Sequence, residues 1–191
     1  ITYKIHSFKG IGKIPKKVNK LSQVKTQKLL NDLPMYLKGI GRTLESMPGK
    51  KAIFVILDSD DADCAELKKD LVEMYEKSGV TVDVYFCIAI EEMEAWLLGD
   101  EKAIEEAYPQ AKMPLLRKYV QDSIVGTWEY LADVVYSGGV NALKKKAESY
   151  YEIGLFKCEC AGNIGMYLNI HENKSPSFNY FINKLNDFCE V

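Results

Sequence analysis

Apolar and polar residues alternate over Thr2-Tyr3-Lys4-Ile5-His6-Ser7-Phe8, the period-two pattern of a strand. A basic, glycine-containing loop follows from Lys9 to Lys17. The pattern then becomes helical from near Ser22, with Leu29, Leu30 and Leu33 on one face. Pro34 is expected to interrupt and restart that helix, and Met35, Leu37, Ile40 and Leu44 continue its apolar stripe. Pro48-Gly49 closes the region. The run Ala52-Ile53-Phe54-Val55-Ile56-Leu57 has no alternation and ends in acid, the pattern of a central parallel strand buried on both faces. A helix with Leu67, Leu71 and Met74 inward is expected next, stopped by Gly79, and Val82 to Ile90 reads as another strand. Strand, helix and strand at this spacing make a βαβ unit with a right-handed crossover.

Beyond Glu91 the pattern is helical. Helices are expected over Glu91 to Leu98, Glu101 to Ala107, Thr127 to Tyr136, Asn141 to Tyr151 and Pro176 to Phe188. No repeat, low-complexity tract or clear linker divides the chain, so residues 1–191 are read as one α/β domain. Its sheet-bearing part is about 1–98 and its helical part about 99–191. The chain opens on Ile1 inside the alternating segment, and a native strand and helix are expected before it.

Charge changes this picture more than composition does. Residues 1–42 carry ten Lys and Arg against Asp32 alone, a balance of +9, whereas residues 58–106 carry sixteen Asp and Glu against four Lys, a balance of −12. A basic segment suits a polyanion and an acidic one suits a cation, which together suit metal-dependent phosphate chemistry; both could equally be solvated faces. Five scattered cysteines favour free thiols in a reducing compartment. With no bilayer-length apolar run and no signal-peptide pattern, a cytoplasmic protein is expected.

The densest chemistry lies in Asp58-Ser59-Asp60-Asp61-Ala62-Asp63, at the end of the apolar strand. Ligands of open α/β sheets bind at that carboxyl edge. Residues i and i+2 of an extended chain point to one side, so Asp58 and Asp60 can meet one ion. Mg²⁺, or Mn²⁺ in its place, takes one or two carboxylates and completes its shell with waters and phosphate. An EF-hand is excluded, because Asp63 stands where that loop needs Gly and Lys69 where it needs Glu. Asp63, with Glu66 three residues on, reads as a helix N-cap. Glu91-Glu92-Met93-Glu94 follows the next strand; on a helix Glu91 and Glu94 share a face and could supply a further ligand or a base, or simply complement a helix dipole.

Other motifs are weaker. The loop Gly10-Ile11-Gly12-Lys13 could turn N–H groups and lysines to a phosphate, but it lacks P-loop spacing. Cys158-x-Cys160 with His171 lacks zinc-ribbon spacing. Ser175-Pro176 reads as a cap followed by proline at the first helical position.

Taken together, these motifs carry a resemblance. It runs through Phe8-Lys9-Gly10-x-Gly12-Lys13, Leu29-Leu30-x-x-Leu33-Pro34, the Asp58 cluster to Lys68, Ile90-Glu91-Glu92-x-Glu94-Ala95-Trp96, Gly99-Asp100 and Tyr108-Pro109. It continues through Ser123-Ile124-x-Gly126-Thr127-Trp128-Glu129 and Asn173-Lys174-Ser175-Pro176-Ser177-Phe178. The chain resembles an uncharacterised bacterial domain-of-unknown-function family treated as Toprim-like, and more distantly the Toprim domain of topoisomerases, primases and overcoming-lysogenization-defect nucleases. The resemblance implies a Rossmann-like, mainly parallel sheet flanked by helices, and a Mg²⁺ site made by Asp58, Asp60 and a Glu on a strand before Ile1. It implies strand breakage, rejoining or nucleotidyl transfer, and a neighbouring AAA or ABC-type ATPase in a bacterial defence system.

The leading expectation is a Toprim-like, Mg²⁺-dependent nuclease or phosphodiester-transfer subunit. Asp58 and Asp60 would bind metal, and Glu91 or Glu94 would act as ligand or base. Lys9, Lys13, Lys16, Lys17 and Lys174 would meet the DNA or RNA backbone without reading sequence. Two other classes fit the same residues: a non-catalytic partner of an ATPase, and a hydrolase of a small nucleotide.

Overall fold

A computed structural model describes residues 1–14, 27–123 and 126–190. In chain order the described elements are α1 (Leu29–Glu45), β1 (Ala52–Asp58), α2 (Cys64–Ser78), β2 (Asp83–Ala89), α3 (Glu94–Leu98) and α4 (Glu101–Ala107). They continue with α5 (Met113–Leu116), α6 (Thr127–Val135), α7 (Gly139–Lys146), α8 (Tyr150–Gly165) and α9 (Pro176–Cys189). The protein is mixed α/β: β1 and β2 form a small parallel sheet joined through α2, and the C-terminal part is helical. The chain divides into two compact units, one of residues 1–55 and 63–86, the other of residues 56–62 and 87–191.

In the first unit α1 buries Leu29, Leu30, Leu33 and Leu37. It runs straight through Pro34, so the expected restart does not occur. Proline forfeits one hydrogen bond early in the helix, and four buried leucines on the same face offset that loss. Gly41 allows the close approach of Val80, whose Cγ1 would lie 2.5 Å from an added Cβ. Glu45, at the end of α1, accepts hydrogen bonds from the N–H and hydroxyl of Thr81, at 2.8 and 2.7 Å, and these bonds lower its pKa. Helix α2 buries Leu67, Leu71 and Met74 as expected. Asp63 caps it by accepting from the N–H groups of Ala65 and Glu66, and Gly79 ends it at φ 68°.

Residues 1–8 are not a strand. Ile1, Tyr3 and Ile5 are exposed, while His6 and Phe8 place their rings edge-on to Tyr36. Alternation suits a half-buried strand, but among the described residues no strand lies beside this segment to take its N–H and C=O groups. The described sheet has two strands, so β1 is not the central strand expected: Ile56 stays 39 % exposed although Val55 and Leu57 are buried.

The second unit is built around Leu98, Ile104, Leu116, Leu131, Cys160 and Ile164, contributed by α3, α4, α5, α6 and α8. Trp96 stacks on Phe181 at 5.4 Å, and its indole N–H donates to Ser177 Oγ. Ser175 caps α9 by accepting from the Phe178 N–H, with Pro176 next to it. Asn173 donates to the Trp96 carbonyl, and Gly99 is required there because an added Cβ would lie 2.0 Å from Asn173 Oδ1. The motif from Asn173 to Phe178 is thus a brace holding α9 to α3.

Candidate functional site

The site lies in the second unit, where β1 and β2 end. The parallel pairing continues past both strands: the Ser59 N–H donates to the Ala89 carbonyl at 3.0 Å and the Asp60 N–H to the Glu91 carbonyl at 2.9 Å. Ser59 is buried, and its hydroxyl accepts from the Glu91 N–H at 2.7 Å. These bonds fix the two loops to each other, which leaves Asp58 at the strand end and Glu92 and Glu94 just beyond the second strand.

Asp58, Glu92 and Glu94 form one electrostatic cluster. Burial pushes the Asp58 carboxyl up to about 7, and the fields of Glu94 and Glu92 push the same way. Lys157 opposes the shift, and Asp60 adds the smallest push. Glu94 is also raised, first by burial. The counter-charge comes from α8. Lys157 Nζ lies 2.8 Å from Glu92 Oε1 and 3.3 Å from Glu94 Oε1. Burial works against that ammonium, but its bonds to the two glutamates outweigh it and raise its pKa. Within this cluster two buried oxygens remain without a hydrogen-bond partner, Asp58 Oδ1 and Glu92 Oε2; elsewhere among the described residues Tyr119 Oη and Gln121 Oε1 share that state.

Several expected site residues are placed elsewhere. Asp60 is exposed and its backbone is left-handed, φ 45°, so the extended register meant to bring it beside Asp58 ends before it. Glu91 is not on a helix with Glu94: α3 begins at Glu94, and Glu91 has φ 62°. Its carboxylate instead accepts from the Gly126 N–H, the Thr127 N–H at 2.7 Å and the Thr127 hydroxyl, closing the N-terminus of α6. An anion there satisfies orphan donors and complements the helix dipole. Gly126 has φ 90°, a conformation that glycine adopts freely.

Among the basic residues, Lys9 and Lys13 are exposed in the first unit. Their loop is tied to α1 from both sides: Gly10 and Ile11 accept from the N–H groups of Leu29 and Leu30, and the Lys13 N–H donates to Asn31 Oδ1 at 3.0 Å, so these groups are spent within the protein. Gly12 has φ 71° and sits against Asn31. Lys16 and Lys17 lie outside the described residues. Lys174 is exposed and ion-paired with Glu101. Cys158 is exposed whereas Cys160 is buried beneath the Tyr108 hydroxyl, so the two thiols face apart.

Residues 2–186 match the family described as Domain of unknown function (DUF4276). The chain belongs to this family. No curated protein and no solved structure matches the chain. The description of the DUF4276 family names no activity, so the chemistry is read from the side chains.

Sequence reasoning missed Glu92 and Lys157. Glu92 stood within the acidic motif, hidden by the helical register assumed for Glu91 and Glu94. Lys157 comes from a helix that was not anticipated; its one signal is that it is the sole cationic residue of α8. Among the described residues no group of three His, Cys, Asp or Glu side chains is placed to hold a metal ion. The donor chemistry still fits Mg²⁺ or Mn²⁺, which need few protein ligands: two buried, unpartnered carboxylate oxygens are hard donors for a partly hydrated ion. No helix among the described residues is long and apolar enough to cross a membrane.

The cluster makes stability pH-dependent in a definite direction. The folded protein holds a proton on Asp58 that the unfolded chain, with its ordinary carboxylate, gives up near pH 4. The folded state therefore binds more protons between about pH 4 and pH 7, and its stability falls as pH rises through that window. Metal-free protein is expected to lose about 2 kcal/mol there, allowing for partial solvent screening. Urea melts at pH 5 and pH 8 in EDTA measure the loss, and Asp58→Asn should abolish most of it.

Proposed function

We propose that the chain is a Toprim-like, divalent-cation-dependent nuclease or phosphodiester-transfer subunit, with Mg²⁺ or Mn²⁺ held by Asp58 and Glu92. One observation supports this above the others: buried Asp58 Oδ1 and Glu92 Oε2 have no hydrogen-bond partner, in a cluster of three carboxylates that contains one ammonium group. A buried carboxylate oxygen left bare is a standing penalty, which a cation relieves. When bound, the cation would lower the repulsion between substrate phosphate and protein and acidify an attacking water. Glu94 would hold Lys157 in place and keep the cluster anionic. Ser59 and Glu91 would position the two loops, and exposed Lys9 and Lys13 would meet the DNA or RNA backbone through charge alone.

The ion pairs of Lys157 with Glu92 and Glu94 favour a second reading, in which the cluster is a structural salt bridge and the chain a non-catalytic partner of an AAA or ABC-type ATPase. The two readings part in one assay. Purified protein is incubated with supercoiled DNA, single-stranded DNA and RNA, with Mg²⁺, with Mn²⁺ and with EDTA. Cleavage only where a divalent cation is present is the expected result. Cleavage that persists in EDTA contradicts the cation reading. Inertness under every condition, with an ATPase encoded beside the gene also added, favours the partner reading.

A further inference from the structure

Helix α8 is apolar on two sides, and the protein covers one of them. Ile153, Cys160 and Ile164 are buried on the inner side. On the opposite side, at spacings of three and four, Tyr151, Leu155, Cys158, Gly162 and Gly165 form a second row. All five are exposed, Tyr151 by 74 % and Leu155 by 50 %, and Met166, 73 % exposed, extends the row past the helix end. No charged residue lies in the row: Glu152 and Glu159 border one side of it, and Lys157 turns away from the other toward Glu92. A helix that is apolar all round is ordinarily covered all round. The glycines add a second anomaly. An added Cβ at Gly154, Gly162 or Gly165 would meet nothing within 4 Å, unlike one at Gly41 or Gly99. No neighbour inside the protein requires glycine at these three places, although each weakens the helix relative to alanine.

We propose that this row is the interface of a two-fold dimer, in which α8 packs antiparallel on α8 of a second copy and crosses it at Cys158. The row is lopsided in a way that complements itself. Its large residues, Tyr151 and Leu155, lie in the N-terminal half, and Gly162 and Gly165 lie in the C-terminal half. Antiparallel pairing about Cys158 sets Tyr151 opposite the partner's Gly165 and Leu155 opposite the partner's Gly162, and two-fold symmetry makes each contact twice. Parallel pairing would instead set large on large and leave the glycines facing each other. The row and Met166 expose roughly 550 Å² per copy, so a pair would bury roughly 1,100 Å², just above the about 1,000 Å² that a specific interface needs. An interface of that size is weak, so the dimer should form with rising concentration. Glu152 and Glu159 stay at its rim, in water. Lys157 lies outside the row, so the proposal is independent of the cation reading above.

Two measurements test it. Sedimentation equilibrium under reducing conditions, from low to high micromolar protein, reads the oligomeric state. Wild type should pass from monomer to dimer, whereas Gly162→Gln, which fills the hollow for Leu155, should stay monomeric at the same concentrations. Glutamine is the better helix former, so dilute Gly162→Gln should melt at least as high as dilute wild type. The second measurement reads the contact. Diamide, which takes up the two electrons and two protons of a thiol pair, should link Cys158 to the partner's Cys158. A disulfide needs Cα atoms about 4.4–6.8 Å apart, so the link forms where the helices cross. The linked dimer should appear on a non-reducing gel for wild type and be lost in Cys158→Ser. Wild type that stays monomeric throughout overturns the proposal and gives the face to a different protein. A dimer that survives in Gly162→Gln, or one that links through Cys64 or Cys189 and not Cys158, overturns it as well. Should Gly162→Gln fail to fold, the Cys158 link decides alone.

Discussion

Asp58→Asn is expected to yield a folded protein whose cation-dependent cleavage falls on the order of a hundredfold or more. Asparagine keeps the shape of the side chain and removes the charge, and a neutral amide oxygen is a poor ligand for Mg²⁺. Because the substitution also relieves repulsion from Glu94 and Glu92, metal-free Asp58→Asn should be more stable than wild type above pH 7. Opposite movements of stability and activity separate a site residue from a structural one, which would lose both. Parallel thermal melts and initial cleavage rates at pH 8 provide the comparison. Unchanged activity in the variant would remove Asp58 from the mechanism.

Glu91→Ala should act in the other way. The Glu91 carboxylate accepts three hydrogen bonds at the start of α6, two from backbone N–H groups that have no intrahelical partner. Bonds to a charged acceptor are worth about 1.5–3 kcal/mol each, and water would replace some of them, so a loss of about 3 kcal/mol is expected. For a chain of this size that lowers the melting temperature by about 6–12 °C. The number of Mn²⁺ ions bound below the transition should not change. Full stability with abolished cleavage would restore Glu91 to the role of catalytic base.

Local structure was legible wherever one residue type had one physical use. Asp63 and Ser175 read as caps and are caps, Gly79 read as a helix stop and is one, and the apolar face of α2 was assigned in register. The strand end at Asp58 was legible too, since an unbroken apolar run that meets acid marks the point where a strand leaves the core. What failed needed tertiary partners. Residues 2–8 alternate like a strand yet have no strand beside them among the described residues. Glu91 and Glu94 have helical spacing, but a left-handed turn at Glu91 separates them before the helix begins.

Helix α8 explains the largest gap in the site. Gly154, Gly162 and Gly165 lower its intrinsic propensity, and exposed Tyr150, Tyr151 and Leu155 blur the apolar stripe formed by its three buried residues, Ile153, Cys160 and Ile164. Its order comes from packing Cys160 and Ile164 into the core beside Leu98 and Ile104. Lys157 therefore reaches Glu92 across 65 positions of sequence with no local signal to announce it. The carboxylates of the site could be read from strand ends, whereas the cation that balances them could be found only in three dimensions.

The central claim is that Asp58 and Glu92 are cation ligands, and calorimetric titration of Mg²⁺ at pH 7 into wild type and Asp58→Asn tests it most directly. Carboxylate ligation requires Asp58 to give up its proton, so binding should release protons and its heat should depend on the ionisation enthalpy of the buffer. The account predicts one ion bound by wild type, with proton release, and binding lost or greatly weakened in Asp58→Asn. Equal binding by the two proteins, or none by wild type, would contradict it.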